Sequence, residues 1–143
     1  MDHLSQFMSH HVLLCLGFAL SLLVVFMVEA RLAKGGNHAL TPQGVTQAIN
    51  REDAVVIDIR DVDAFRDGHI IGSINVPSTQ WEAQEKRLEK YKTKPIVIID
   101  AMGQKAQTYQ AKLTKSGFEQ VKMLTGGINA WRSASLPLVK GSK

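Results

Sequence analysis

Hydrophobic residues follow two different patterns along this chain. From Val12 to Val28 seventeen consecutive residues carry no charge, and Ser21 is the only hydroxyl among them. Beyond Arg31 the apolar residues come in short runs, separated by charged stretches with helical spacing. The first pattern predicts one long apolar helix, the second a folded domain of alternating strands and helices.

As a helix the first run is roughly 25 Å long, at the short end of what crosses a bilayer. A core helix would show a polar face, and this one has none. A secretory leader would open on basic residues, whereas Met1 to His11 holds Asp2 and three histidines. Val28-Glu29-Ala30 is a stretch that a signal peptidase would inspect, yet Arg31 and Lys34 follow at once. Positive charge stays on the cytoplasmic side. We therefore read residues 12–30 as a single-pass transmembrane helix after a short segment 1–11, with the N-terminus outside and the remainder in the cytoplasm; in a bacterium this would be the inner membrane. Cys15 and Ala19 lie four apart, as do Gly17 and Ser21. Such spacing lets a second helix approach closely, so Gly17 and Ser21 are the candidate helix-packing residues. Chance placement of small residues is the competing explanation.

Residues 31–40, with Gly35-Gly36, read as a linker. Thr41-Pro42 supplies a helix cap and a first-turn proline, and Val45, Ala48 and Ile49 carry an amphipathic helix to about Asn50. Ala54–Ile59 predicts a strand covered on both faces. Asp61 should cap a brief helix bearing Val62 and Phe65, with Gly68 at its left-handed end. Ile74–Pro77 predicts a second strand. Thr79-Gln80-Trp81-Glu82 has the form of a capping box, opening a charged helix to about Tyr91 with Trp81, Leu88 and Tyr91 inward. Ile96–Ile99 is the next strand and ends abruptly in the polar loop Asp100–Lys105. The following helix places Ala106, Tyr109 and Leu113 on one face and stops at Gly117. Val121–Leu124 and a last turn of helix after Gly126-Gly127 complete the pattern. This alternation predicts an α/β domain over 41–138, a parallel sheet flanked by helices, and then a tail 139–143.

Charge and cysteine usage narrow the chemistry. All seventeen Lys and Arg lie beyond residue 30, against eleven Asp and Glu there, a net +6. That excess suits a domain beside anionic lipid. No aromatic and basic stripe points to nucleic acid. Lys86, Arg87, Lys90, Lys92 and Lys94 would form a lipid-docking face if they were not offset by Glu82, Glu85 and Glu89, and a solvated helix face is the preferred reading. Cys15 is the only cysteine, so the domain has neither a disulfide nor a cysteine metal site. His3, His10, His11 and His38 are not set at metal-ligand spacing. No metal or cofactor is expected.

Three motifs, in order, resemble the rhodanese (sulfurtransferase) family. Asp58-Ile59-Arg60 is similar to its D-x-R; Phe65 through Gly68-His69-Ile70-Ile71-Gly72-Ser73-Ile74-Asn75-Val76-Pro77 to its F-x-x-G-H-I-x-G-[SA]-x-N-[IV]-P; and Gly126-Gly127 with Trp131 to its G-G-x-x-x-W. The resemblance implies a rhodanese-like three-layer fold. It assigns Asp58, Arg60, Gly68, His69, Gly126, Gly127 and Trp131 to structure: an ion pair for Asp58 and Arg60, a hydrogen-bonded interior histidine for His69.

The active loop departs from the family. Active members read roughly C-x-x-G-x-R-S, whereas Asp100-Ala101-Met102-Gly103-Gln104-Lys105-Ala106 keeps the glycine and replaces Cys by Asp and Arg by Lys. Sulfur transfer needs a thiolate that holds a persulfide, stabilised by loop amides. A carboxylate cannot hold one. Asp100 is therefore expected to place its own charge among those amides, filling a vestigial anion site. The expected protein is a catalytically inactive, membrane-anchored binding module for an integral-membrane partner, of undetermined oligomeric state. The alternative is a low-activity sulfurtransferase, or one that borrows a partner's cysteine. An aspartyl nucleophile is a remote third option, since it would need metal-binding carboxylates nearby.

Overall fold

The computed structural model describes residues 11–34 and 38–141. They fall into an N-terminal unit ending at residue 36 and a compact C-terminal unit. The linker glycines Gly35 and Gly36, together with His3 and His10, lie outside the described residues.

Among its described residues the N-terminal unit has one helix, α1 (Val12–Lys34). Its residues Val12–Glu29 are long and apolar enough to cross a membrane. Apart from the half-buried Cys15, the side chains from Val12 to Glu29 are exposed. The helix does not stop where the linker was expected, because Glu29-Ala30-Arg31-Leu32-Ala33-Lys34 consists of strong helix formers that continue it. The Ser21 hydroxyl donates to the Phe18 carbonyl at 2.7 Å, a bond within the helix. Among the described residues, and apart from the helix's own backbone, nothing lies within 4 Å of a Cβ built on Gly17.

The C-terminal unit is built on five parallel strands in the order β1-β5-β4-β2-β3. These are β1 (Ala39–Leu40), β2 (Val55–Asp58), β3 (Ile74–Asn75), β4 (Ile96–Ile99) and β5 (Val121–Leu124). Strand β4 lies centrally, and all four of its residues are buried. Alternation across the pleat divides it. Ile96 and Ile98 join Ile57, Trp81, Leu88 and Leu113 on one face; Val97 and Ile99 join Val45, Val56, Leu124 and Trp131 on the other. Each fully buried side chain of this kind contributes about 1.5–3 kcal/mol, and a sheet buried on both faces explains why β4 reads as an unbroken apolar run. The covering helices are α2 (Pro42–Glu52), α3 (Val62–Asp67), α4 (Trp81–Gln84), α5 (Ala106–Lys115) and α6 (Gly127–Ser133). The sheet flanked by helices is the architecture expected from the sequence.

Several local expectations are corrected. Strand β1 falls in the assigned linker: the carbonyls of His38 and Leu40 accept from the amides of Met123 and Thr125 at 2.6 and 2.8 Å, so the chain joins the sheet before residue 41. Two residues without alternation leave no signal to read. The tail is also engaged, since His69 and Val139 exchange two 2.9 Å backbone bonds and the Gly141 amide donates to the Arg66 carbonyl. Asp61 precedes α3 but makes no side-chain cap. Gly68 is extended at φ 167°, which any residue adopts. The charged helix expected to Tyr91 is three pieces: a 3-10 turn Ser78–Gln80, the single α-turn α4, and a 3-10 helix Glu85–Tyr91 with no side-chain cap. Three residues per turn stack Leu88 and Tyr91 on one line, and both pack on the sheet.

Candidate functional site

In a parallel sheet the strand carboxyl ends leave a crevice where ligands collect. Here β4 runs directly into Asp100, and its last residue, Ile99, pairs with Asp58 at the end of β2. Asp100 is buried, 4% exposed. One carboxylate oxygen accepts from the Gly103 amide at 2.5 Å, the other from the amides of Lys105 and Ala106 at 2.7 and 3.2 Å. Lys105 and Ala106 open α5, so the carboxylate satisfies donors that a helix start leaves unpaired and sits at the positive end of its dipole. The loop thus closes on its own side chain.

Two glycines permit this closure. Gly103 has φ 86°, and a Cβ there would meet the Gly126 nitrogen at 2.9 Å. Gly127 has φ 61°, and a Cβ would lie 2.5 Å from the Asp100 carbonyl oxygen and 2.6 Å from the Ala101 carbonyl carbon. That proximity lets the first amides of α6 reach the loop: Ile128 donates to the Asp100 carbonyl at 2.9 Å and Asn129 to the Ala101 carbonyl at 3.2 Å. Helix α6 is held at its other end by Trp131, whose indole donates to the Pro137 carbonyl at 3.0 Å.

At the end of β2, Asp58 and Arg60 form a buried ion pair with a closest approach of 2.6 Å. Arg60 also donates its backbone amide to Asp58 and Nη2 to the Gly68 carbonyl, at 3.0 and 2.8 Å. The Asn75 side chain donates to the carbonyls of Asp58 and Arg60, locking β3 onto this corner. His69 is fully buried, stacked on Phe65 with ring centroids 3.8 Å apart, and Nδ1 donates to the Phe65 carbonyl at 2.9 Å. It braces the corner and is not part of the cleft wall.

Between the two corners lies a cleft of about 310 Å³ lined by Ile59, Arg60, Asp61 and Ala64, by Ser78, and by Asp100, Ala101, Met102, Gln104 and Lys105. Met102 projects into solvent, 57% exposed. The Lys105 and Gln104 side chains are also exposed. The fold brings the loop, Arg60, and the glycines beneath them together; His69 and Trp131 stand apart as supports, and Gly17 and Ser21 lie in the other unit. Ala64 and Ser78 were not foreseen as cleft residues, because neither has a chemical signature of its own. Sequence reasoning also missed Gln110, whose buried amide donates toward Nδ1 of His38 and the Val121 carbonyl at 3.2 and 3.4 Å.

In the comparisons with known proteins, the profile of the "Rhodanese-like domain" family matches residues 41–134. The chain is 37% identical over 142 residues, 99% of both chains, to the uncharacterized protein YibN of Escherichia coli K12. It is 33% identical over 88 residues to the thiosulfate sulfurtransferase GlpE of Pseudoalteromonas translucida, covering 62% of this chain and 82% of that one. Among solved structures, a rhodanese-related protein from Thermoplasma volcanium superposes with a TM-score of 0.64 at 26% identity, covering 71% of this chain and 96% of that one.

Proposed function

The chain belongs to the rhodanese-like domain family, and from that premise we propose that it is a catalytically silent member of it, a binding module held at a membrane. One observation carries this reading: the amide cradle at the end of β4 is filled by the Asp100 carboxylate. A sulfur-transferring loop has to offer that cradle to a thiolate and to the persulfide formed on it. An oxygen acid cannot carry the outer sulfur, and the one cysteine of the chain, Cys15, lies in α1. The preserved scaffold around an occupied cradle supports recognition in place of turnover.

The apolar helix α1 supports anchoring in a bilayer, and Arg31 and Lys34 at its C-terminal end support an orientation with the domain in the cytoplasm. The partner in this reading is an integral-membrane protein met both by α1 and by the domain. The test is photo-crosslinking in native membranes from residue 17 in α1 and from residue 104 at the cleft rim. One membrane protein captured from both positions is the expected result. Adducts to lipid alone from residue 17 and none from residue 104 would refute the binding module.

The sulfurtransferase alternative has its support in the relation to GlpE. It would need a cysteine delivered by another chain, and transfer by the full chain only when that protein is added would favour it.

A further inference from the structure

With the cradle occupied, the cleft beside it has lost affinity for anions, and what remains of its wall defines a different ligand. Four charged residues line it: Arg60 and Lys105 against Asp61 and Asp100. The Arg60 charge is already committed to Asp58 at 2.6 Å. That leaves Lys105 facing two carboxylates, so a further anion would be repelled. A cation is no better served. Both Asp100 oxygens are taken by the amides of Gly103, Lys105 and Ala106, and the Lys105 ammonium stands at the same rim. The rest of the wall is the apolar Ile59, Ala64, Ala101 and Met102, with the uncharged polar Ser78 and Gln104 among them. Met102 is more than half exposed at the loop tip, and methionine is the side chain that best adapts to apolar surfaces of varied shape. At about 310 Å³ the space lies at the lower limit of ligand pockets, with room for a side chain and the backbone that carries it and too little for a large cofactor.

We propose that this cleft takes one uncharged aliphatic side chain, of the leucine or methionine kind, presented by an extended segment of the partner. The inference rests on the silent-binder reading and names the chemistry of its ligand. Ala64 and Met102 close over the inserted side chain, while Lys105 and Asp61 reject segments charged at that position.

The experiment uses the full chain in lipid nanodiscs with 13C-labelled methionine methyl groups, Met102 being assigned by its loss in M102L. The probes are the capped tripeptides acetyl-Gly-X-Gly-amide with X leucine, glutamate or lysine, and inorganic sulfate. The leucine peptide is expected to move the Met102 resonance saturably, at least tenfold more tightly than the glutamate and lysine peptides, with no response to sulfate. Ala64→Phe, which fills the cleft, is expected to abolish the shift while tryptophan emission stays native. Tighter binding of the glutamate peptide or of sulfate, or no saturable shift with leucine, overturns the proposal. Failure of the underlying reading would register separately, as sulfur turnover by the unmodified chain, whatever the peptides do.

Discussion

Replacing Asp100 by Asn removes one acceptor oxygen and puts an NH2 group in its place. The better of the two orientations keeps the side-chain oxygen on the amides of Lys105 and Ala106 and turns the NH2 toward the Gly103 amide, which then faces a donor. One charge-assisted bond is lost and one buried N–H is left unpaired, which costs about 2–3 kcal/mol. Asp100→Ala removes all three bonds. At about 1–3 kcal/mol for each orphaned donor, less whatever water recovers, the loss is about 3–5 kcal/mol. Ala also empties the cradle, so a small oxyanion has somewhere to bind, and an anion at one hundred times its Kd returns about 2.7 kcal/mol. Urea unfolding of the full chain in detergent, followed by tryptophan emission, reads all of this. Both tryptophans, Trp81 and Trp131, are buried in the C-terminal unit, 2% and 4% exposed. The expected order of stability is parent, D100N, D100A, with sulfate at constant ionic strength restoring D100A and leaving the parent nearly unchanged. If D100N lies within about 0.5 kcal/mol of the parent, the range of ordinary surface substitutions, or if sulfate stabilises both proteins equally, the carboxylate is not the occupant that holds the loop.

Three further outcomes follow from the same geometry. Gly127→Ala forces a Cβ to 2.5 Å from the Asp100 carbonyl oxygen at φ 61°, whereas Gly72→Ala has φ 76° and open space; the first should cost about 3 kcal/mol or more and the second about 1–2, measured by the same unfolding. Arg60→Met leaves the buried Asp58 without its counter-ion and should cost about 3–5 kcal/mol, and adding Asp58→Asn should recover part of that loss, a sign that a double-mutant cycle reads directly. The Lys94 ammonium is raised above its ordinary 10.5 by its hydrogen bond to Asp53 and the attached charge. A raised amine stabilises the fold below 10.5 and loses that contribution as pH climbs through the native value, so the parent should exceed Asp53→Asn in melting temperature at neutral pH and converge with it in strong alkali.

How much of this was legible in the sequence depends on whether a residue's signal is local. The strand 96–99 was readable because burial on both faces makes four β-branched residues adjacent, and 121–124 because Gly117 and Gly126-Gly127 punctuate it. The pairing of Asp58 with Arg60 was expected from the D-x-R resemblance alone, and it forms in the turn just after β2. Strand β1 was not, since two residues acquire their role only from the edge of β5. The 3-10 geometry of Glu85–Tyr91 was not, because its glutamates and lysines are good α-helix formers and only the packing of Leu88 and Tyr91 decides otherwise. At the site, the substitution at residue 100 was visible, but its consequence was not complete. That Gly127 must lack a side chain to let the Ile128 amide reach the Asp100 carbonyl is a contact across 27 residues, which only the folded chain displays. The cleft is likewise assembled from three separate stretches with no common pattern.

The central claim concerns a single side chain, and one measurement addresses it. In a Cys15→Ala background, the full chain and its D100C variant are incubated with thiosulfate, then with cyanide, while intact mass and thiocyanate are followed. The account predicts that the D100C variant gains the mass of one sulfur atom and releases it to cyanide, because the amides of Gly103, Lys105 and Ala106 already surround that position. It predicts neither mass gain nor thiocyanate from the chain that keeps Asp100. Turnover by the cysteine-free chain would contradict it.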